Sequence, residues 1–219
     1  GLETAEISAS IVDGKSDGYR DHSRYGSTSG QLGIKSFSDT WRWGLNLAAE
    51  DVNALTPGAL TLEEFRANPR QAQASSLAND TRMRLKTDRY VAFAETVIDG
   101  VTLRADYAQK NRNYDAVSVL YGARTPMLFD TQSNYLGVSA RKTFQLGLAE
   151  SSFLLGLEAN DWDQSRIYPT QPNWGTVLLD SRARGLYVKS DTDHKSSGIR
   201  LSLGWREENF KRNQLFTGT

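Results

Sequence analysis

The sequence predicts an all-β protein: an antiparallel up-and-down sheet of about nine strands with one face turned to lipid, forming part of a larger transmembrane β-barrel. Three observations carry this. Apolar residues recur at every second position in run after run, and a period of two marks a strand. The connections alternate long and short along the chain, which in an up-and-down sheet gathers short periplasmic turns at one end and long extracellular loops at the other. The face opposite the apolar one carries Arg42, Asn46, Glu50, Arg84, Arg104 and Glu158, which a packed interior would accept only with a partner for each.

The elements follow in order. Leu2–Val12 alternates Ala5, Ile7, Ala9 and Ile11 against Thr4, Glu6, Ser8 and Ser10. After the polar stretch Asp13–Ser29, Leu32 and Ile34 lead through the turn Phe37-Ser38-Asp39 into Trp41, Trp43, Leu45, Leu47 and Ala49, the clearest amphipathic hairpin of the chain. Asp51–Asp80 reads as a loop, inside which Thr61-Leu62-Glu63-Glu64 has the form of a capping box opening a short helix. Loops of that length are usually functional.

The next hairpin pairs Met83, Leu85, Val91 and Phe93 with Val101, Leu103, Ala105 and Tyr107. Keeping both apolar sets on one face requires a three-residue turn, Ile98-Asp99-Gly100, with Gly100 left-handed; a two-residue Asp-Gly turn would flip Phe93 inward. Lys110–Thr131 reads as a polar loop before Leu136, Val138 and Ala140, which turn near Leu146–Glu150 into Phe153, Leu155, Leu157 and Ala159. Asp161–Val177, with Trp162, Tyr168 and Trp174, reads as another long loop. Last, Leu186 and Val188 oppose Ile199, Leu201, Leu203 and Trp205 across Asp191–Ser197. Trp41, Trp43, Tyr107, Phe153 and Trp205 near strand ends suit the aromatic belt of a bilayer interface. An odd, open set of strands has two unpaired edges, so a piece of a larger barrel is expected.

Composition narrows the functions. The 219 residues hold 26 basic and 26 acidic side chains, so no global field draws the chain to nucleic acid. Cysteine is absent, which excludes disulfides, thiolate metal sites and a cysteine nucleophile. No run approaches a transmembrane helix, and the first residues lack a signal-peptide layout, so a leader is expected outside this sequence. Gly-x-Ser-x-Gly and phosphate-cradling loops are missing, and the two histidines, His22 and His194, both fall in loops or turns. Asp161-Trp162-Asp163 and Asp191-Thr192-Asp193 lack the glycine and distal glutamate of a calcium loop. No catalytic residue, metal site or cofactor is therefore assigned. The competing class is a non-transporting β-structure: a porin-like or adhesin-like barrel, or a soluble sheet serving as scaffold.

Ser16-Asp17-Gly18-Tyr19-Arg20-Asp21-His22-Ser23, the stretch from Thr56-Pro57-Gly58 through Asn68-Pro69-Arg70, and the pair Arg184-Gly185-Leu186-Tyr187-Val188 and Ile199–Arg206 carry a resemblance. The chain resembles the barrel of TonB-dependent outer-membrane receptors, and its middle segment is similar to the ferric-dicitrate and related ferric-siderophore branch. The resemblance implies a 22-stranded barrel closed by a plug, importing a ferric chelate with energy delivered through TonB from the Gram-negative inner membrane. No plug or TonB box is read in residues 1–219, so energised transport is expected of a longer protein.

Two sets of residues stand as candidates. Tyr19, Arg20, His22, Arg24 and Tyr25, on the first long loop, offer arginine for paired hydrogen bonds to carboxylates and tyrosine as a rigid amphipathic surface. A solvated strand extension with charge pairs is the alternative reading of the same residues. Arg42, Asn46, Arg84, Arg104 and Glu158 are expected to face the lumen.

Overall fold

The computed structural model describes residues 4–170 and 174–217, so Leu2 and residues 171–173 of the third long connection lie outside the described residues. Nine strands form one antiparallel sheet in simple sequence order: β1 Thr4–Ser16, β2 Tyr25–Phe37, β3 Trp41–Leu55, β4 Arg82–Ile98, β5 Val101–Leu120, β6 Ala123–Leu146, β7 Ala149–Ile167, β8 Thr176–His194 and β9 Ile199–Thr217. The sheet is open, with β1 and β9 at its edges. Two short helices, α1 Leu62–Ala67 and α2 Ala74–Ala78, sit in the β3–β4 connection. Thr61 caps α1 as its sequence predicts: the Glu64 amide donates to Thr61 Oγ1 at 3.2 Å and the Thr61 amide to Glu64 at 2.8 Å.

The strands run from 13 residues in β1 to 24 in β6, well beyond the apolar runs that mark them in the sequence. Lys110–Thr131 is not a loop. It is the ladder between β5 and β6, closed by the two-residue turn Tyr121-Gly122 with both φ angles positive at 51° and 79°. Polar side chains on both faces hide such a strand from a hydrophobicity reading, because its backbone hydrogen bonds need no apolar face when both sides meet water. Asp161–Val177 is likewise mostly strand, and β8 continues to His194.

The Asp99-Gly100 turn also departs from expectation. Ile98 pairs directly with Val101, and Asp99 and Gly100 take φ of 50° and 73°, the two-residue turn whose twist matches the strands. Met83, Leu85, Val91 and Phe93 therefore share the polar face, while Arg82, Arg84 and Lys86 share the face of Trp43. Phe93 has a reason to be there. A Cβ on Gly44 would stand 2.5 Å from the Phe93 ring, so the ring fills the space the glycine leaves, and the Arg104 guanidinium lies 4.7 Å from its centroid. Tyr187 over Gly156 and Tyr135 over Gly137 repeat the device on the same face.

The other face carries an uncovered apolar band. Trp41 and Trp205 are 55% and 53% exposed, and among the described residues no second layer lies over them. The few buried apolar residues, Val52, Ala116, Val117, Val177 and Leu179, lie instead toward the loop ends of their strands, with Ala72 in the β3–β4 insert.

The band crosses the sheet obliquely. Its upper edge is Ala49 on β3 and Trp205 on β9, yet the cross-strand row that reaches Trp205, through Val188, Leu155, Ala140, Leu103 and Thr96, meets β3 at Trp41. From Trp41 to Ala49 is about 27 Å along the strand, and from β3 to β9 about 29 Å across, at ~3.4 Å per residue and ~4.8 Å per strand. The strands are thus inclined to the band's normal by about 40°, within the range for strands of a barrel that spans a bilayer. The same slope explains Arg184, Glu207 and Asn209, which share rows with Leu45 and Trp43 yet lie above the band on their own strands.

Candidate functional site

The loop candidates divide by what their side chains already do. The Arg20 guanidinium donates to the carbonyls of Gln71 (2.9 Å), Gly58 (2.7 Å) and Pro57 (3.3 Å), and His22 Nε2 lies 2.8 Å from the Thr81 carbonyl. Both residues clamp the insert of residues 56–81 onto the first loop. Tyr19 lies under the Arg70 guanidinium at 5.5 Å, Arg24 reaches Asp17 at 3.9 Å, and Tyr25 begins β2, partly exposed. Tyr19, Arg24 and Tyr25 are exposed, whereas Arg20 and His22 are half-buried under these contacts. Arg20→Ala removes three charge-assisted hydrogen bonds and is expected to loosen the insert by about 2–3 kcal/mol locally. Proteolysis within residues 56–81 would accelerate while ligand affinity stays unchanged; lost affinity with no change in cleavage would make Arg20 a ligand contact instead.

Of the five residues expected to share the inner wall, the register places Arg42, Asn46, Arg104 and Glu158 on one face and Arg84 on the other. Arg84 lies above the apolar band, where both faces meet water, and pairs with Asp51 through contacts of 3.1 and 2.5 Å. Hydrogen bonds from Arg84 hold the Asp51 carboxyl below the ordinary carboxylate range, and Arg184 does the same for Asp161. A lowered carboxylate pKa keeps such a pair charged at neutral pH; it is lost only as pH falls through the lowered value.

On the polar face, charge is arranged in two zones. In the lower zone two networks pair cations with carboxylates: Arg104 with Asp106 (2.7 Å) and Glu95 (3.5 Å) and Arg42 with Glu95 (3.6 Å) in one, Arg206 with Glu158 and Glu208 in the other. The upper zone is different. Arg89 and Lys110 stand directly opposite one another on β4 and β5, and Arg112 lies two residues beyond Lys110 on the same face. All three are exposed, and among the described residues no carboxylate comes within ion-pair distance of them. Glu50, on the same face, is in register with Arg112 two strands away and stands diagonal to Arg89 on the adjacent strand, without an ion pair to either. Like charges directly opposite are destabilising. The wall therefore keeps a positive strip without ion pairs, and the facing of Arg89 and Lys110 costs it some stability.

Rings line the same strip. Lys110, Arg112, Tyr114, Phe129, Trp162 and Gln164 border a pocket of about 750 Å³. Tyr114 stacks on Phe129 at 5.5 Å, and the Arg166 guanidinium lies 5.6 Å from the Phe129 ring. The arrangement offers an anion fixed cations and aromatic faces, with no nucleophile or acid–base pair. Among the described residues no cluster of three or more His, Cys, Asp or Glu could hold a metal ion. Sequence reading missed these residues because they lie in the stretches taken for loops. The signal was there in the alternation Lys110, Arg112, Tyr114 against Asn111, Asn113, Asp115.

Comparison with known proteins bears on the fold. No family model and no curated protein matches the sequence. Among solved structures, the chain is similar to the ferric preacinetobactin receptor BauA of Acinetobacter baumannii (TM-score 0.74, 12% identity, covering 97% of this chain and 41% of that one). It is also similar to the alcaligin outer-membrane receptor FauA of Bordetella pertussis (0.72, 11%, 97% and 32%) and the ferric citrate transporter FecA (0.62, 13%, 99% and 40%). The chain spans less than half the length of each, and the shared part is a run of consecutive antiparallel barrel strands.

Proposed function

Because the chain has the fold of a barrel segment of ferric-chelate receptors, we propose that residues 1–219 form part of the barrel of a Gram-negative outer-membrane receptor that captures an anionic ferric chelate. The apolar band faces outer-membrane lipid, the polar face lines the lumen, and the end bearing the 56–81 insert is extracellular. Import is driven through TonB by way of a plug carried elsewhere in the longer protein. The chain acts as receptor and transporter and not as an enzyme.

The observation that carries the reading is the unpaired strip of Arg89, Lys110 and Arg112 on the lumen wall. A ferric chelate with net negative charge supplies the counter-charge the protein withholds. The oblique band supports the membrane part of the reading, since a soluble sheet has no plane for its apolar residues to follow. In an iron-limited strain lacking the full-length gene, uptake of radio-iron supplied as an anionic chelate is expected to fall to background, to recover on complementation, and to require TonB. Unchanged uptake across a panel of anionic ferric chelates would refute the assignment.

A further inference from the structure

Aromatic side chains continue beyond the pocket in an unbroken line. Phe129 meets Tyr168 edge-on at 5.8 Å, Tyr168 meets Trp174 at 5.0 Å, and Trp174 meets Tyr121 at 6.3 Å, with interplanar angles of 71°, 79° and 85°. With Tyr114 stacked on Phe129, five rings connect the cationic wall to the tip of the β5–β6 hairpin. Tyr121 at that tip is 97% exposed and holds a left-handed φ of 51°. The inner four are half-buried, so part of each ring is open to solvent.

The interfacial belt does not account for these rings. Tyr114 lies seven residues above Tyr107, the top of the band on β5, and points to the opposite face. A closed hydrophobic core does not account for them either, because none of the five rings is buried: four are half-buried and Tyr121 is exposed. A fully exposed tyrosine in a strained turn position has no evident folding role, since asparagine or glycine would suit that φ better.

Resting on the receptor reading above, we propose that the ligand is an anionic chelate whose iron is held by planar aryl groups, such as catecholates, and that the line from Tyr121 to Tyr114 is the surface on which those groups stack as the ligand moves from the loop tip to the cationic wall. Arg166 over Phe129 and the strip of Lys110 and Arg112 then meet the charge of the chelating oxygens while the rings meet the aryl faces. An aliphatic hydroxycarboxylate chelate would use the cations and leave the five rings without a role.

The test is a titration of the full-length receptor in detergent with a ferric tris-catecholate and with ferric dicitrate, followed by tryptophan fluorescence. The catecholate complex is expected to bind more tightly. Phe129→Leu should weaken it by about 2- to 10-fold, the effect of one aromatic contact, and leave dicitrate unchanged. Tyr121→Asn, which keeps the left-handed preference of the turn and so cannot act through misfolding, should slow association of the catecholate alone. Tighter binding of dicitrate, or indifference of the catecholate to both substitutions, overturns the aryl proposal. If dicitrate binding is then lost on Lys110→Glu, the receptor reading survives; if neither chelate binds, both fall.

Discussion

Leu45→Arg in the full-length barrel is expected to block assembly into the membrane, while Asn46→Arg, one residue along, is expected to assemble normally. Leu45 is the central member of the alternating set Trp41–Ala49 and lies about 14 Å along the strand from Trp41, near the middle of the band. Its cross-strand neighbours are Ile34 and Ala92, so an arginine there has no polar group to reach without snorkelling past the tryptophans. The cost is about 2–4 kcal/mol near the midplane. Asn46 faces Gly33 and Val91 on the polar wall, where an arginine extends into water. The readout is the heat-sensitive mobility of the folded barrel and its refolding yield in vesicles. Equal yields for the two variants would show that the apolar face does not meet lipid. Arg84 defines the limit of the effect: it shares Leu45's face but pairs opposite Asn53, above the band, and its charge is already accommodated there.

Leu45 also shows what the sequence makes legible and why. Wherever a strand carries one apolar and one polar face its residues have to alternate, so β3, β5, β6, β7 and β9 declare themselves, and the capping box of α1 is a local rule satisfied locally. Where a strand carries polar residues on both faces, the hydrophobic signature is gone but the hydrogen-bond ladder is not. Lys110, Arg112 and Tyr114 on β5, Phe129 on β6 and Trp162 on β7 all lie in such stretches, and for that reason the candidate wall is hidden in apparent loops. The first-loop cluster shows the opposite difficulty. Arg20 and His22 have the chemistry of ligand contacts, but backbone carbonyls 51 and 59 residues away in sequence, at Gln71 and Thr81, compete for the same donors, and no spacing rule shows that. The facing of β4 turned on one turn residue. Hydropathy favoured Phe93 outward, whereas the hole above Gly44 favoured it inward, and a packing partner on another strand decided the register.

The second large effect is the double substitution Lys110→Glu/Arg112→Glu, which should weaken binding of an anionic ferric chelate by about 10- to 100-fold. Each exposed charge pair contributes up to about 1 kcal/mol, and reversal replaces attraction with repulsion at two sites. Raising ionic strength should weaken the wild type and shrink the difference between the two proteins, because exposed charges are screened within about 10 Å at 0.1 M salt. Arg66→Glu, on α1 away from the wall, changes net charge equally per site and should leave affinity unchanged. Stability separates a binding role from a structural one. Lys110 opposes Arg89 across the β4–β5 ladder, so the introduced carboxylate at this position gains a partner and should raise stability by about 0.2–1 kcal/mol while affinity falls. A residue kept for folding would show both quantities falling together. Opposite signs would mean that the wall holds two like charges face to face because the ligand, and not the sheet, requires them.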